Sequence, residues 1–254
     1  MAEVSTTRSF RTTAELQVGP AIASIFDACS DTTEQKLENF PKYVRRQHLK
    51  RFLAHYEIFQ RILPVKGSIV ECGVFRGFGL MSWAKLSTIL EPENLTRRIY
   101  GFDSFDGFPS ISPKDENVTA SAVKAKPVVG DLRSNSQAEL ELLIDQYDKD
   151  RFLGHIDKCH LVAGDACQTI PKFIEEHKHL VVSLLFLDFD LYEPTKVALE
   201  HFLPRMPKGS ILAFDELDNP IWPGETLALL DSVGIRNLKI ERLPWDPFIG
   251  FAEL

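Results

Sequence analysis

The chain has 254 residues, 44% of them hydrophobic and 26% charged, which suits one large soluble α/β domain rather than two small ones. A net charge of −7 offers nothing to offset repulsion from a phosphate backbone, so a nucleic-acid partner is not expected. No apolar run reaches membrane-spanning length, and the four cysteines form neither a CxxC pair nor a zinc-type spacing. No membrane partner and a reduced cytoplasmic home are the expectation.

In chain order, the first dozen residues lack the apolar core of a signal peptide and are expected to be mobile. Residues 43–63 place Leu49, Phe52, Leu53, Tyr56, Phe59 and Leu63 on one helical face, ended by Pro64 and Gly67. Residues 1–66 thus read as a helical extension, whose aromatics Phe26 and Phe40 suit a subunit interface in a homo-oligomer or a cap over an acceptor pocket.

Short apolar runs then alternate with helical patterns: 68–74, 98–103, 160–166, 181–188 and 209–217. Runs of this kind form a parallel sheet buried on both faces. Residues 238–244 and 248–254, joined by a turn at Asp246 and Pro247, read instead as an antiparallel pair. Five strands followed by a hairpin suit the seven-stranded, Rossmann-like methyltransferase sheet within a single domain, 1–254. Helix signals agree: Ser136 with Glu139 forms a capping-box pattern, Pro171 and Pro194 suit first turns, and Gly234 suits a helix end. The long 104–158 connection carries Pro109, Pro113 and Pro127 and is expected to be a lid or a mobile loop.

The segment IVECGVFRGFG (69–79) is a strand leading through glycines 73, 77 and 79 into a helix. Ligands bind at the carboxyl ends of such strands, where glycine lets the backbone approach closely. The spacing departs from G-x-G-x-x-G, and Glu71 would repel a pyrophosphate while attracting the α-amino group of S-adenosylmethionine. Asp103 ends the second strand, where an acid can accept ribose hydroxyls. Asp165 ends the third and suits equally a helix cap. With Gly73, Ser104 and Ala166 these residues make the candidate cofactor end.

The candidate chemical end is LLFLDFDLYEP (184–194) with LAFDEL (212–217). Asp188 and Asp190 lie two apart and would share a face in extended chain. Asp215 and Glu216 end the next strand, expected to be its neighbour. Clustered carboxylates repel one another unless a cation intervenes, and oxygen-only donors suit Mg²⁺ or Mn²⁺.

Through ECGVFRG (71–77), YGFDSFDGFP (100–109), LVAGDA (161–166) and LDFDLYEPT (187–195), the sequence resembles the macrocin O-methyltransferase family. That resemblance implies S-adenosylmethionine-dependent methylation of deoxysugar hydroxyls in antibiotic biosynthesis, with Asp165 facing the adenine amine. It also implies Asp188, Asp215 and Glu216 as metal ligands and Asp190 as general base. The family's Asp-Asp pair is Asp-Glu here, and NPIWPGET (219–226) is more similar to nucleotide-linked 6-deoxyhexose 3-O-methyltransferases. The acceptor is therefore expected to be a deoxysugar on a nucleotide or on an aglycone. The alternative is a catechol-type, metal-dependent O-methyltransferase acting on an aromatic hydroxyl.

Overall fold

A computed structural model describes residues 12–116 and 127–254. The expectation for the first dozen residues therefore falls almost wholly outside the described residues, as does the 117–126 part of the proposed lid. Two compact units divide the chain, Met1–Leu53 and Ala54–Leu254.

In the first unit, helix α1 (Thr13–Ala28) opens on a capping box in which Thr12 and Glu15 satisfy each other's backbone amides. None of its residues is buried. A second capping box, Thr32 with Gln35, starts α2 (Thr33–Glu38). Phe26 packs edge-on against Tyr43 at 4.8 Å and beneath the Lys36 ammonium, while Phe40 is exposed.

Helix α3 (Arg46–Ile62) runs into the second unit and buries Ala54, His55, Ile58, Phe59 and Ile62. Its buried stripe is rotated from the expected one, since Leu53 and Leu63 are exposed. The expected stripe and the observed one share Phe59, and both have helical spacing. Packing on the sheet, rather than periodicity, selects between them.

The sheet has the order β3-β2-β1-β4-β5-β7-β6. Its parallel strands are β1 (Ser68–Cys72), β2 (Ile99–Asp103), β3 (Cys159–Ala163), β4 (Val182–Leu187) and β5 (Ile211–Phe214). The chain closes with β6 (Glu241–Arg242) and β7 (Gly250–Glu253), and β7 pairs antiparallel with both β5 and β6. The expected hairpin is therefore present, and the strands carrying the two acid motifs are neighbours.

Every residue of β1, β4 and β5 is buried, because helices cover both faces. On one face Val70, Phe102, Leu185 and Leu187 pack with Phe173, Leu199, Phe202 and Leu229. Those last four come from α6 (Ala166–Glu176), α7 (Tyr192–Phe202) and α8 (Gly224–Ser232). On the other face His55, Trp83 and Phe186 stack within 4.2–5.6 Å, Trp83 coming from α4 (Phe78–Leu90).

Gly234, at φ +71°, closes α8 as expected, its amide reaching the Leu229 carbonyl. Two helix signals read differently. Pro171 lies inside α6, beyond the first turn. Ser136 precedes α5 (Gln137–Lys149) without capping it, because its hydroxyl is spent on the Phe75 carbonyl. The serine ties α5 to the glycine loop instead.

Among the described residues no helix is long and apolar enough to cross a membrane.

Candidate active site

The central β1 lies between β2 and β4, so the chain reverses its direction of sheet growth there. Open α/β sheets leave a crevice at the carboxyl ends of strands at such a point. Here the crevice is a cleft of about 620 Å³, counted with the solvent-filled space at its mouth.

Each strand end contributes to it. Gly73 follows β1 and has φ +98°. Asp103 ends β2, and both its oxygens accept main-chain amides: Oδ2 from Phe75 and Oδ1 from Phe105, each at 2.7 Å. Phe75 and Phe105 hold left-handed φ values of +51° and +57°. Such strained turns persist where the surroundings fix them, and the charge-assisted bonds to Asp103 do so. A carboxylate has about four acceptor positions, so Asp103 retains capacity for ribose hydroxyls.

Asp165 follows β3 and caps α6, its Oδ1 accepting the Cys167 amide at 2.9 Å. Ala166 and Cys167 bring the amino terminus of α6 to the cleft wall. Burial beside Asp165 pushes the Cys167 thiol up to about 11, so it stays neutral. Ser104 also lines the cleft, donating its hydroxyl to the Gly107 carbonyl at 2.5 Å.

Asp188 and Asp190 also line the cleft. The strand ends at Leu187, and Asp190 adopts φ +62°. The extended geometry that would align the two acids therefore stops short of them, and the turn after β4 brings both to the cleft. Asp188 sits beside the end of β1, its amide bonded to the Cys72 carbonyl at 2.7 Å.

Glu71, Asp215 and Glu216 do not line this cleft. Glu71 is 2% exposed and faces the first turn of α4, where a Cβ on Gly79 would meet its Oε1 at 2.3 Å. Asp215 follows β5, its amide bonded to the Leu187 carbonyl at 2.9 Å. Among the described residues no group of three or more His, Cys, Asp or Glu side chains is placed to hold a metal ion. The donors are nevertheless oxygen-only, and their charges accumulate. Burial pushes the Glu225 carboxyl well above the usual range, and Asp190, Glu216 and Asp215 push it further.

Three contributors carried no sequence signal. Glu225 accepts the amides of Asp190 (3.2 Å) and Glu216 (3.1 Å). Lys114 donates to the Tyr192 hydroxyl at 2.9 Å and pairs with Asp231. Asp115 accepts the Tyr192 amide at 2.6 Å. The last two fasten the start of the long connection, which lines the cleft through Gly107, Phe108, Pro109 and Ser110, to α7 and α8.

A seven-stranded sheet of this order, with carboxylates around a cleft at its parallel strand ends, has the Rossmann-like methyltransferase fold. The crystal structure of the calicheamicin methyltransferase CalS11 matches it with a TM-score of 0.86 and 33% identity, over 100% of this chain and 98% of that one. An apo structure of CalS11, a TDP-rhamnose 3'-O-methyltransferase of calicheamicin biosynthesis, matches at 0.81 and 32%, over 96% and 95%. The O-methyltransferase NovP shares the fold at a TM-score of 0.60 and 17% identity, over 80% and 79%.

The sequence model of the macrocin-O-methyltransferase (TylF) family matches residues 44–229, and the chain belongs to that family. A curated relative is the 8-demethyl-8-(2,3-dimethoxy-alpha-L-rhamnosyl)-tetracenomycin-C 4'-O-methyltransferase of Streptomyces olivaceus. It is 26% identical over 153 residues, 60% of this chain and 53% of the relative. The chain thus spans about half the length of that relative.

Proposed function

We propose that the protein transfers a methyl group from S-adenosylmethionine to a hydroxyl of a deoxysugar in natural-product biosynthesis. The observation that carries this reading is the gathering of Gly73, Asp103, Asp165, Asp188 and Asp190 around one cleft at four neighbouring strand ends. Family membership and the sugar methyltransferases among its relatives support the acceptor class.

In this reading Gly73 leaves room for the cofactor, Asp103 and Ser104 take its ribose, and Asp165 and Ala166 meet its adenine. Glu71, two residues before Gly73, acts on the cofactor's amino end. When bound, S-adenosylmethionine supplies an electrophilic methyl group on sulfonium. Asp190 accepts the proton that the sugar hydroxyl loses as its oxygen–carbon bond forms and the carbon–sulfur bond breaks.

We further propose a divalent cation, Mg²⁺ or Mn²⁺, held by Asp188, Asp215 and Glu216. The oxygen-only donor set and the accumulated negative charge around Glu225 support it. When bound, such an ion supplies positive charge that acidifies a hydroxyl. Calorimetric titration with Mg²⁺ should show binding, and exhaustive chelation should stop turnover. Full activity at nil metal content would remove the cation from the proposal.

A homo-oligomer in the reduced cytoplasm completes the reading. Helix α1, none of whose residues is fully buried, supports the first and four free thiols support the second. A strictly monomeric mass by light scattering would exclude the oligomer.

The deciding experiment is transfer of labelled methyl from S-adenosylmethionine to a panel of nucleotide-linked and aglycone-linked deoxysugars. One acceptor class should turn over. Cofactor binding without transfer to any sugar, but with transfer to a catechol, would overturn the acceptor assignment.

A further inference from the structure

Glu225 is completely buried, yet it sits among acids. An acidic residue in the first turn of a helix ordinarily complements that helix's own positive end. The Glu225 carboxylate instead reaches outward to amides of two other segments. Its Oε1 accepts the Asp190 amide at 3.2 Å and its Oε2 accepts the Glu216 amide at 3.1 Å. Those segments follow β4 and β5, which are hydrogen-bonded neighbours.

We propose that Glu225 is a positioning residue that fixes the spacing between the turn bearing Asp190 and the turn bearing Asp215 and Glu216. The inference rests on the reading of Asp190 as the proton acceptor. Three features of the chain support it.

A carboxylate presents two acceptor oxygens and can hold one amide on each. A glutamine in the same place would turn an NH₂ group toward one of the two N–H groups and lose that bond. Asp190 holds a left-handed φ of +62°, which a non-glycine residue keeps only where its surroundings fix it, and the bond from its amide to Glu225 is such a constraint. The start of α8 is itself immobilised. A Cβ on Gly224 would lie 2.5 Å from both the Tyr192 amide and Asp115 Oδ1, so the helix that carries Glu225 is pressed against the start of α7. The carboxylate is thus mounted on rigid structure and grips two turns that have no regular structure of their own.

The experiment uses the full-length chain carrying E225Q or E225D. Amide hydrogen exchange at residues 190 and 216, cofactor affinity by calorimetry, and kcat with KM for the sugar are read together. In E225Q, exchange at both amides should quicken and kcat should fall at least about 10-fold, with cofactor affinity within about twofold. E225D keeps the carboxyl group but lacks the reach, so it should behave like E225Q. Recovery of wild-type rates by E225D would overturn the geometric role, since the shorter side chain cannot span both turns. Unchanged exchange at both amides would overturn the proposal, and so would unchanged kcat with both amides released. If E225Q does not fold, E225D alone carries the same readouts. A wild-type chain that methylates no sugar defeats the functional reading, and the amide exchange still decides whether Glu225 holds the two turns.

Discussion

Gly73 lies so close to Asp188 that a Cβ on residue 73 would stand 1.9 Å from the Asp188 carbonyl oxygen. The contact joins the end of β1 to the end of β4. Gly73 also holds φ +98°, outside the range that L side chains favour.

Gly73→Ala should therefore cost at least about 2 kcal/mol of stability, from backbone strain and displacement of Asp188 together. Urea unfolding measures it. A variant within about 0.5 kcal/mol of wild type would mean that the two strand ends do not meet in this way.

Asp103→Ala removes the acceptor for two main-chain amides at once. Binding of S-adenosylmethionine should weaken by about 1–3 kcal/mol, the usual cost of losing charged hydrogen bonds. The melting temperature should fall as well, because Phe75 and Phe105 lose what holds their left-handed turns. Calorimetry showing unchanged cofactor affinity would remove Asp103 from the ribose site, whatever the stability.

Much of this architecture was legible because the signals are local. The five apolar runs became parallel strands with bounds shifted by up to three residues, and Gly73, Gly164, Asp188 and Asp215 fall just beyond strand ends. Strand-end acids such as Asp103 and Asp165 were legible for the same reason, since a strand end fixes where a side chain goes. What the sequence hid is long-range. Glu225 stands in an unremarkable PGET stretch and matters because helix α8 packs beside α7. Ser136 has the pattern of a helix cap, yet its hydroxyl goes to Phe75, 61 positions away in sequence. The two-residue spacing of Asp188 and Asp190 implied extended chain, whereas the strand stops at Leu187 and a left-handed residue takes over.

Lys158 offers a test of the buried electrostatics away from the cleft. It is 4% exposed and donates to the Asn94 carbonyl at 2.7 Å. Burial pushes its pKa down to about 8, against the pull of Glu91. An unfolded lysine titrates near 10.4. Between about pH 8 and that value the unfolded chain holds a proton that the folded chain lacks, so stability from this group rises with pH. Below pH 8 both states are protonated and the folded chain bears the full cost of the buried charge. The difference in unfolding free energy between wild type and Lys158→Met should therefore shift in favour of wild type from pH 8 to pH 10. Parallel curves would show that Lys158 titrates normally.

The sharpest test falls on Asp190. A sugar hydroxyl is a very weak acid, so its proton must leave as the oxygen attacks, and a base must stand within reach. Asp190 is 9% exposed and lines the cleft beside Asp188, with its own amide held by Glu225. Asp190→Asn keeps the size and removes the basicity. It also preserves the turn, because asparagine tolerates the left-handed φ of +62° that alanine would resist. The variant should lose at least about 10²-fold in kcat while cofactor affinity stays within about twofold. Its pH–rate profile should also lack the acidic limb on which the wild-type rate falls as the base is protonated. A different result follows if Asp190 only orients its neighbours. The variant would then bind metal more weakly, recover its rate at high Mg²⁺, and keep the acidic limb. That outcome would place the base on another residue.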